Sequence, residues 1–420
     1  MTQFKQYIAT VAAVALTAGM LVAQAPPPPG RAAAGRGGRG TPPPAVRSPE
    51  VNADRTVTFR LRAPEGTAVQ LAGEVTQGKG PQAMTQGSDG VYSVTIGPMP
   101  PDIWIYNFRV GGVDLPDPAN INVMPRSAGL VANSLVEVPG DGPAFYDARP
   151  VPHGEVRIMT YESKAMAVTR SMWVYTPPGY DKSTAKYPVY YLLHGNGETQ
   201  IGWVMNGRAN FILDNLIAER KAVPMIVVMP HGHAIQSANV GPWTTVQQQG
   251  PAGMGNFTLF SKDLIEQIIP TIEKDYRVYA DADHRAIGGL SMGSMQTISI
   301  GLAHPELFHY VTAFSGGFGG MGAAAAAGPE IETQSPWKEL LAKPAETKKW
   351  LRYIFLGCGQ QETGMLAPGQ RLVKLFKESG INAEWGDYPG GHIWSVWRNH
   401  LNQIAPKLFR VGAQVTPKKG

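Results

Sequence analysis

The stretch at residues 284–303 constrains the chain most: His-Arg-Ala-Ile-Gly-Gly-Leu-Ser-Met-Gly-Ser-Met-Gln-Thr-Ile-Ser-Ile-Gly-Leu-Ala. Residues 286–290 are a short apolar run and read as a buried strand. Met295, Ile298 and Leu302 recur at helical spacing, so 292–303 reads as a helix. Gly289-Leu290-Ser291-Met292-Gly293 therefore falls between a strand and a helix, the context that a G-x-S-x-G turn requires. A side chain at either flanking position would clash in so sharp a turn. Ser291 is then expected at the top of a sheet and at a helix N-terminus. Free N–H groups and the helix dipole there favour developing negative charge. In a chain with 49 glycines the pentapeptide alone is a weak signal, and its context carries the weight.

The rest of residues 150–412 alternates strand and helix. Strands are expected at 156–161, 171–175, 188–193, 225–230, 286–290, 310–314, 352–356 and 382–388. Helices are expected at 209–220, 257–274, 292–303, 369–379 and 393–409. Near-continuous apolar runs such as Val189-Tyr-Tyr-Leu-Leu193 and Ile226-Val-Val-Met229 suit a parallel sheet covered on both faces. This is the pattern of an α/β fold of the α/β-hydrolase type. Residues 316–328, rich in Gly and Ala, follow a strand end and read as a loop beside the site.

Residues 49–140 have a different character. Arg55-Thr-Val-Thr-Phe-Arg-Leu-Arg62, Ala68-Val-Gln-Leu-Ala72, Val91-Tyr-Ser-Val-Thr-Ile96 and Trp104-Ile-Tyr-Asn-Phe-Arg-Val110 alternate with period two between Gly, Pro and Asp turns. Short strands at this spacing predict a small all-β sandwich. Trp104, Tyr106 and Phe108 are favoured as its core over an exposed glycan platform. No acid, base and nucleophile cluster there, so the sandwich is expected to add nothing to the chemistry and to be dispensable for small esters.

Ahead of it, residues 1–25 read as a signal peptide: Lys5, an apolar run from Tyr7 to Val22, then Val22-Ala-Gln-Ala25. The run is short for a membrane span. Residues 26–48 are a Pro/Gly-rich linker that buries no apolar area. A secreted or periplasmic location is the expectation. Cys358 is the only cysteine, so no intrachain disulfide can form. The net charge is +5, with Arg31, Arg36, Arg39 and Arg47 in the N-terminal tail, and no basic cluster in the globular part points to nucleic acid.

The partners of Ser291 follow from chain order. An α/β-hydrolase runs nucleophile, acid, histidine. Of nine histidines, five precede Ser291, and His304 and His309 lie too close behind it. His392, in the glycine-rich Tyr388-Pro-Gly-Gly-His392, is favoured over His400, which lies inside a helical pattern. For the acid, the interval holds Asp387 and eight glutamates. Glu362 follows a strand and a turn, where catalytic residues of such sheets gather. It is favoured over Asp387, which lies in the last strand. The oxyanion hole is expected from the N–H groups of Met292 and of Asn196 in Leu193-His-Gly-Asn-Gly197. His194 is read as an orienting or buried residue, and the pair His231 and His233 is a weak metal signal. Trp203, Trp243 and Trp394 are candidates for a substrate pocket.

Taken together, Leu192-Leu-His-Gly-Asn-Gly-Glu198, Asp214-Asn-Leu-Ile-Ala218, Ile226-Val-Val-Met-Pro230, Gly289-Leu-Ser-Met-Gly293 and Pro389-Gly-Gly-His-Ile-Trp394 resemble bacterial esterases of the esterase D and feruloyl esterase group. That group includes family-one carbohydrate esterases and enterochelin esterases. Residues 49–140 resemble, more loosely, an immunoglobulin-like carbohydrate-binding-type module. The resemblance implies Ser291 as nucleophile, His392 as base, and Met292 and the residue after His194-Gly195 as oxyanion donors. An aspartate is usual in the family where Gly359-Gln-Gln-Glu362 stands here.

These readings predict an exported serine esterase that needs no cofactor or metal and acts on acyl or feruloyl esters of plant polysaccharide. A siderophore esterase or an S-formylglutathione-type thioester hydrolase is the alternative within enzymes. A glycan-binding protein with a degenerate hydrolase domain is the alternative outside them.

Overall fold

Strands β1 (Val57–Arg62) and β3 (Val91–Ile96) pair antiparallel in one sheet, whereas β2 (Val69–Ala72), β4 (Asp102–Val110) and β5 (Asn133–Val138) form a second, with β4 in the middle. The computed structural model describes residues 45–126, 131–236, 246–247, 254–319 and 330–410. Residues 1–44, which hold the expected signal peptide and most of the expected linker, and Trp243 lie outside these.

Period-two alternation explains how the two sheets meet. Val57, Phe59 and Leu61 face Leu71, Trp104, Tyr106, Phe108, Val136 and Val138 in one apolar cluster. The aromatics of β4 are therefore core. The opposite face of β4 and β5 is not left to water. Ile103 and Leu135 join the core of the larger sheet, and Ile105 packs against it.

That larger sheet holds β6 (Glu155–Ser163), β7 (Val168–Thr176), β8 (Val189–Leu193), β9 (Ile226–Pro230), β10 (Arg285–Leu290), β11 (Tyr310–Phe314), β12 (Tyr353–Gly359) and β13 (Ala383–Tyr388). Their spatial order is β6-β7-β9-β8-β10-β11-β12-β13. The first two strands are antiparallel and the rest run parallel. Every parallel strand that the apolar runs predicted is present. The helices include α1 (Ala209–Ala218), α2 (Met254–Asp263), α3 (Met292–Gly301), α4 (Thr363–Glu378) and α5 (Trp394–Ile404). Apolar clusters cover both faces of the sheet, so its strands are buried on either side.

Helix α4 begins six residues before the expected start at 369. Gly364, Pro368 and Gly369 lie inside it. Pro368 sits in its second turn, where it lacks the N–H that would bond the Gly364 carbonyl. The earlier start makes Glu362 the N-cap residue rather than a residue in mid-loop.

The N-terminal sheets are joined to the α/β part by more than chain connectivity. The fully buried Arg398 of α5 pairs with Asp102 of β4, donates to Asn206 O at 2.7 Å and lies over the Tyr146 ring at 5.1 Å. The described residues from 46 onward form one compact unit. The contact rests on the second apolar face of β4, begun by Ile103 and Ile105.

Candidate active site

Five parallel strands deliver their carboxyl ends to one place. Residues 194–198 follow β8, Ser291 follows β10, Ser315 follows β11, Glu362 follows β12 and His392 follows β13. This edge is where α/β sheets place their ligands.

Ser291 sits at φ 53° and ψ −114°, a conformation that side chains rarely adopt. Close packing imposes it. A Cβ on Gly289 would lie 2.7 Å from Leu193 O, and one on Gly293 would lie 2.7 Å from the carbonyls of Leu193 and His194. Both glycines of the motif are therefore required by the approach of β8. Ser291 N–H donates to Phe314 O at 2.8 Å, which closes the turn onto β11. The serine is half-buried and starts α3.

His392 donates from Nδ1 to Glu362 Oε1 at 2.7 Å. The other carboxylate oxygen accepts from Ser315 Oγ and from Gly359 N–H, each at 2.6 Å. Burial opposes the charge of Glu362, but the bonds from His392, Ser315 and Gly359 outweigh it and hold the carboxyl below its usual range. An ionised Glu362 keeps the imidazole proton on Nδ1 and leaves Nε2 as the basic nitrogen. Asp387 is elsewhere. Its Oδ2 accepts from Trp385 Nε1 at 3.2 Å and from Gln370 Nε2 at 3.3 Å. His400 is buried beside Phe314, Phe355 and Tyr388, with Nε2 bonded to Gly386 O at 3.2 Å.

Two residues not singled out in the sequence complete this network. Ser315 is fully buried at φ 55° and accepts from Trp397 Nε1 at 3.0 Å. The Trp397 ring stands edge-on to His392 at 5.0 Å. The signal for Ser315 was its place directly after an apolar strand, matching Ser291 after β10. The signal for Trp397 was its i, i+3 relation to Trp394.

Ser291 and His392 line one cleft of about 480 Å³ with Gly195, Asn196, Trp394 and Trp397. A larger groove of about 1080 Å³ runs alongside it past Trp104, Tyr146 and Gly391, but neither Ser291 nor His392 lines that groove. The opposite wall of the smaller cleft comes from the N-terminal sheets. Asn107 and Arg109 of β4, Asn133 of β5, and Asp114 and Arg126 line it. Arg109 and Asp114 pair through two bonds of 2.8 and 3.2 Å, and Arg126 Nε donates to Gly197 O at 3.0 Å. The N-terminal sheets thus supply part of the cleft wall. Alternation along β4 turns Asn107 and Arg109 towards the cleft from the same face as Ile103 and Ile105.

The candidate tryptophans separate. Trp203 is core and does not line the cleft. It is fully buried between Phe314 and Trp394, with Nε1 bonded to Leu193 O at 3.0 Å. The short helix Gly202–Met205 turns its ring inward, and its one donor is satisfied there. Trp394 does line the cleft, with Nε1 donating to Glu198 Oε1 at 2.8 Å. Trp243 lies outside the described residues.

His194 holds the loop after β8. It donates from Nδ1 to Gly195 O and accepts at Nε2 from Gly232 N–H, both at 2.8 Å. His231 and His233 pack against it, each ring 5.5 Å away. Among the described residues no group of three or more His, Cys, Asp or Glu could hold a metal ion. Burial first, with the charge of Arg170 in the same direction, keeps these rings neutral. His194 is pushed down to about 3 and His233 to about 4, and His231 lies well below its usual value. Burial also takes His400 down to about 3.

A stability prediction follows with a definite sign. Each of these folded-state values lies below the unfolded one, so the unfolded chain takes up protons first as pH falls. Their contribution is whole above the unfolded value of about 6.5 and is lost towards pH 4. Glu74 and Glu198, raised by burial, act in the opposite sense, two groups against four. The urea midpoint should therefore drop between about pH 6.5 and pH 4. A midpoint that stays level or climbs over that range contradicts the burial of four neutral imidazoles.

Residues 163–408 match the family model described as "Putative esterase". The chain belongs to this esterase family. An enzyme of Xylanibacter ruminicola named endo-1,4-beta-xylanase/feruloyl esterase is 32% identical over 378 residues, covering 87% of this chain and 46% of that protein. A Mycobacterium tuberculosis protein named as an esterase is 26% identical over 286 residues, 59% of this chain and 58% of that one. The chain spans about half the length of the curated relatives it matches. Among solved structures, the enterobactin esterase of Shigella flexneri superposes with a TM-score of 0.60 at 20% identity, over 85% of this chain and 93% of that one. This likeness establishes the α/β-hydrolase fold of the esterase-family chain. Among the described residues no helix is long and apolar enough to cross a membrane.

Proposed function

We propose that this protein is an exported serine hydrolase of carboxylic esters, with Ser291, His392 and Glu362 as its triad. The observation that carries the reading is the 2.7 Å bond from His392 Nδ1 to Glu362 in the cleft that Ser291 lines. Ser291 Oγ attacks the ester carbonyl while His392 Nε2 takes its proton. The N–H groups of Met292 and Asn196 hold the oxyanion. The imidazolium returns the proton to the leaving alcohol, and water releases the acyl group through the same histidine. Glu362 stays ionised and stabilises the imidazolium. No step calls for a cofactor.

The substrate proposed is an acyl or feruloyl ester on plant polysaccharide. Support comes from the likeness to the xylanase/feruloyl esterase over most of this chain. A second reading, a siderophore ester, draws on the likeness to the enterobactin esterase. Export rests on the first 25 residues. The N-terminal sheets are proposed as a carbohydrate-binding-type module built into the enzyme.

Fluorophosphonate labelling followed by an ester panel tests this. The panel holds methyl ferulate, feruloylated xylo-oligosaccharide, a catecholate seryl ester and an acyl-glutathione. Labelling of Ser291 with fastest turnover of the feruloyl esters is expected. A folded protein that takes no label and cleaves no ester is instead a binding protein.

The acid has its own test. Glu362→Gln should lower kcat by about 10²–10⁴, because the imidazole loses both its tautomer and its counter-charge. Asp387→Asn should cost less than about tenfold, since its side chain bonds Trp385 and Gln370. Both variants are compared on one activated ester near neutral pH, with circular dichroism as the folding check. The reverse ranking of the two losses refutes the assignment.

A further inference from the structure

Glu198 is a buried carboxyl that the mechanism above does not use. It lies four residues after His194, on the loop expected to hold the oxyanion. Its side chain crosses to α5, where Oε1 accepts from Trp394 Nε1 at 2.8 Å. Its own N–H donates to Gly195 O at 3.2 Å and closes the loop. Trp394 lies two residues beyond His392. The Trp394 ring packs on Trp397 at 5.4 Å, and Trp397 in turn touches His392 and bonds Ser315, the partner of Glu362. One side chain therefore joins the loop of Asn196 to the helix that positions the base.

We propose that Glu198 is a positioning residue that acts as a neutral carboxyl strut between the oxyanion loop and the helix after His392. The inference rests on the serine-esterase reading. Three observations require the neutral form. Glu198 is only 8% exposed. Its second oxygen meets no hydrogen-bond partner and lies against Gly202, where an added Cβ would come within 3.0 Å of it. Of the two arginines in the cleft, Arg109 pairs with Asp114 and Arg126 sends its Nε–H to Gly197 O rather than to Glu198. A carboxylate in such a place would be buried without an adequate counter-charge. It would also set a negative charge beside the loop where the reaction develops one.

Burial pushes the Glu198 carboxyl up to about 8. Of the groups that face it, Glu74 from the N-terminal sheets adds to the rise. The Trp394 indole, Arg126 and the Gly195 backbone pull the other way without cancelling it.

The test compares Glu198→Ala and Glu198→Gln in the full chain. Glu198→Ala should lower kcat on a small aryl ester by about tenfold to a hundredfold with little change in KM, because the loop and the base lose their register. Glutamine keeps the shape and the acceptor oxygen of a protonated glutamate, so Glu198→Gln should recover kcat to within about threefold of wild type. Wild-type kcat should fall as pH rises through about 8, whereas Glu198→Gln should stay level to about pH 9.5. A glutamine variant as impaired as the alanine one, or one with the same alkaline fall, overturns the proposal. A second readout does not depend on activity. With ¹⁵N-labelled tryptophan, the Trp394 indole N–H resonance, assigned by its loss in Trp394→Phe, should shift with a midpoint near 8 in wild type and not in Glu198→Gln. If wild type cleaves no ester, the functional reading fails while the indole titration still decides the strut. An indole resonance that does not move between about pH 7 and pH 9.5 overturns it.

Discussion

Ser291→Ala is expected to lower kcat on a hydrolysed ester by about 10³-fold or more while the protein stays folded. The two halves of that expectation have separate causes. Alanine keeps the Cβ that the turn already accommodates at φ 53°, and it keeps the backbone N–H bonded to Phe314 O. The packing that forces the turn comes from Gly289 and Gly293 against Leu193 and His194, which the substitution leaves alone. What is lost is the hydroxyl, and with it the acyl-enzyme route. The remaining rate would come from the oxyanion donors and the ordered cleft acting on a water molecule, which in triad enzymes retains only a small part of the rate. Steady-state kinetics on one activated ester and fluorophosphonate labelling check the loss of the hydroxyl, and a thermal melt checks the fold. Near-normal turnover by a folded Ser291→Ala protein would remove Ser291 from the mechanism.

Removing the N-terminal sheets should be as damaging, by a different route. A chain beginning at residue 150 would expose the α/β surface now covered by Ile103, Met124 and Leu135. It would also take Asp102 and the covering Tyr146 ring away from Arg398. The cleft would lose its wall of Asn107, Arg109, Asn133 and Arg126. The truncated chain is expected to be insoluble or to lack ester hydrolysis. Asp102→Ala in the full chain should give a milder form of the same defect, a lower melting temperature with reduced activity. A soluble, cooperatively folding chain 150–420 with wild-type turnover of p-nitrophenyl acetate would show the sheets to be an appendage after all.

The contrast with the expectation drawn from residues 49–140 is instructive. Period-two alternation by itself implies one buried and one exposed face. Yet Ile103-Trp104-Ile105-Tyr106 is apolar at four successive positions, the mark of a strand covered on both sides. That signal was present. It lacked an address, because periodicity says that a face is buried and not what buries it. Trp203 failed for a related reason. A tryptophan near a catalytic loop can point into the cleft or beneath it, and the packing of Phe314 and Trp394 sent it beneath.

Other features were legible because their causes are local in the chain. The elbow depends on two glycines within three residues of Ser291. Its strand and helix depend on apolar spacing within a single element. Glu362 and His392 could be favoured because each follows a parallel strand, and parallel strands send their carboxyl ends to one edge. The side chains that finish the cleft obey no such local rule. Arg398 and Asp102 are 296 residues apart, and Trp394 and Glu198 are 196 apart. Such pairs form because folding brings buried polar groups together and each must find a partner there. The order of residues could therefore name the chemistry and the edge of the sheet that carries it. The wall facing Ser291, and the carboxyl beneath Trp394, came from long-range packing alone.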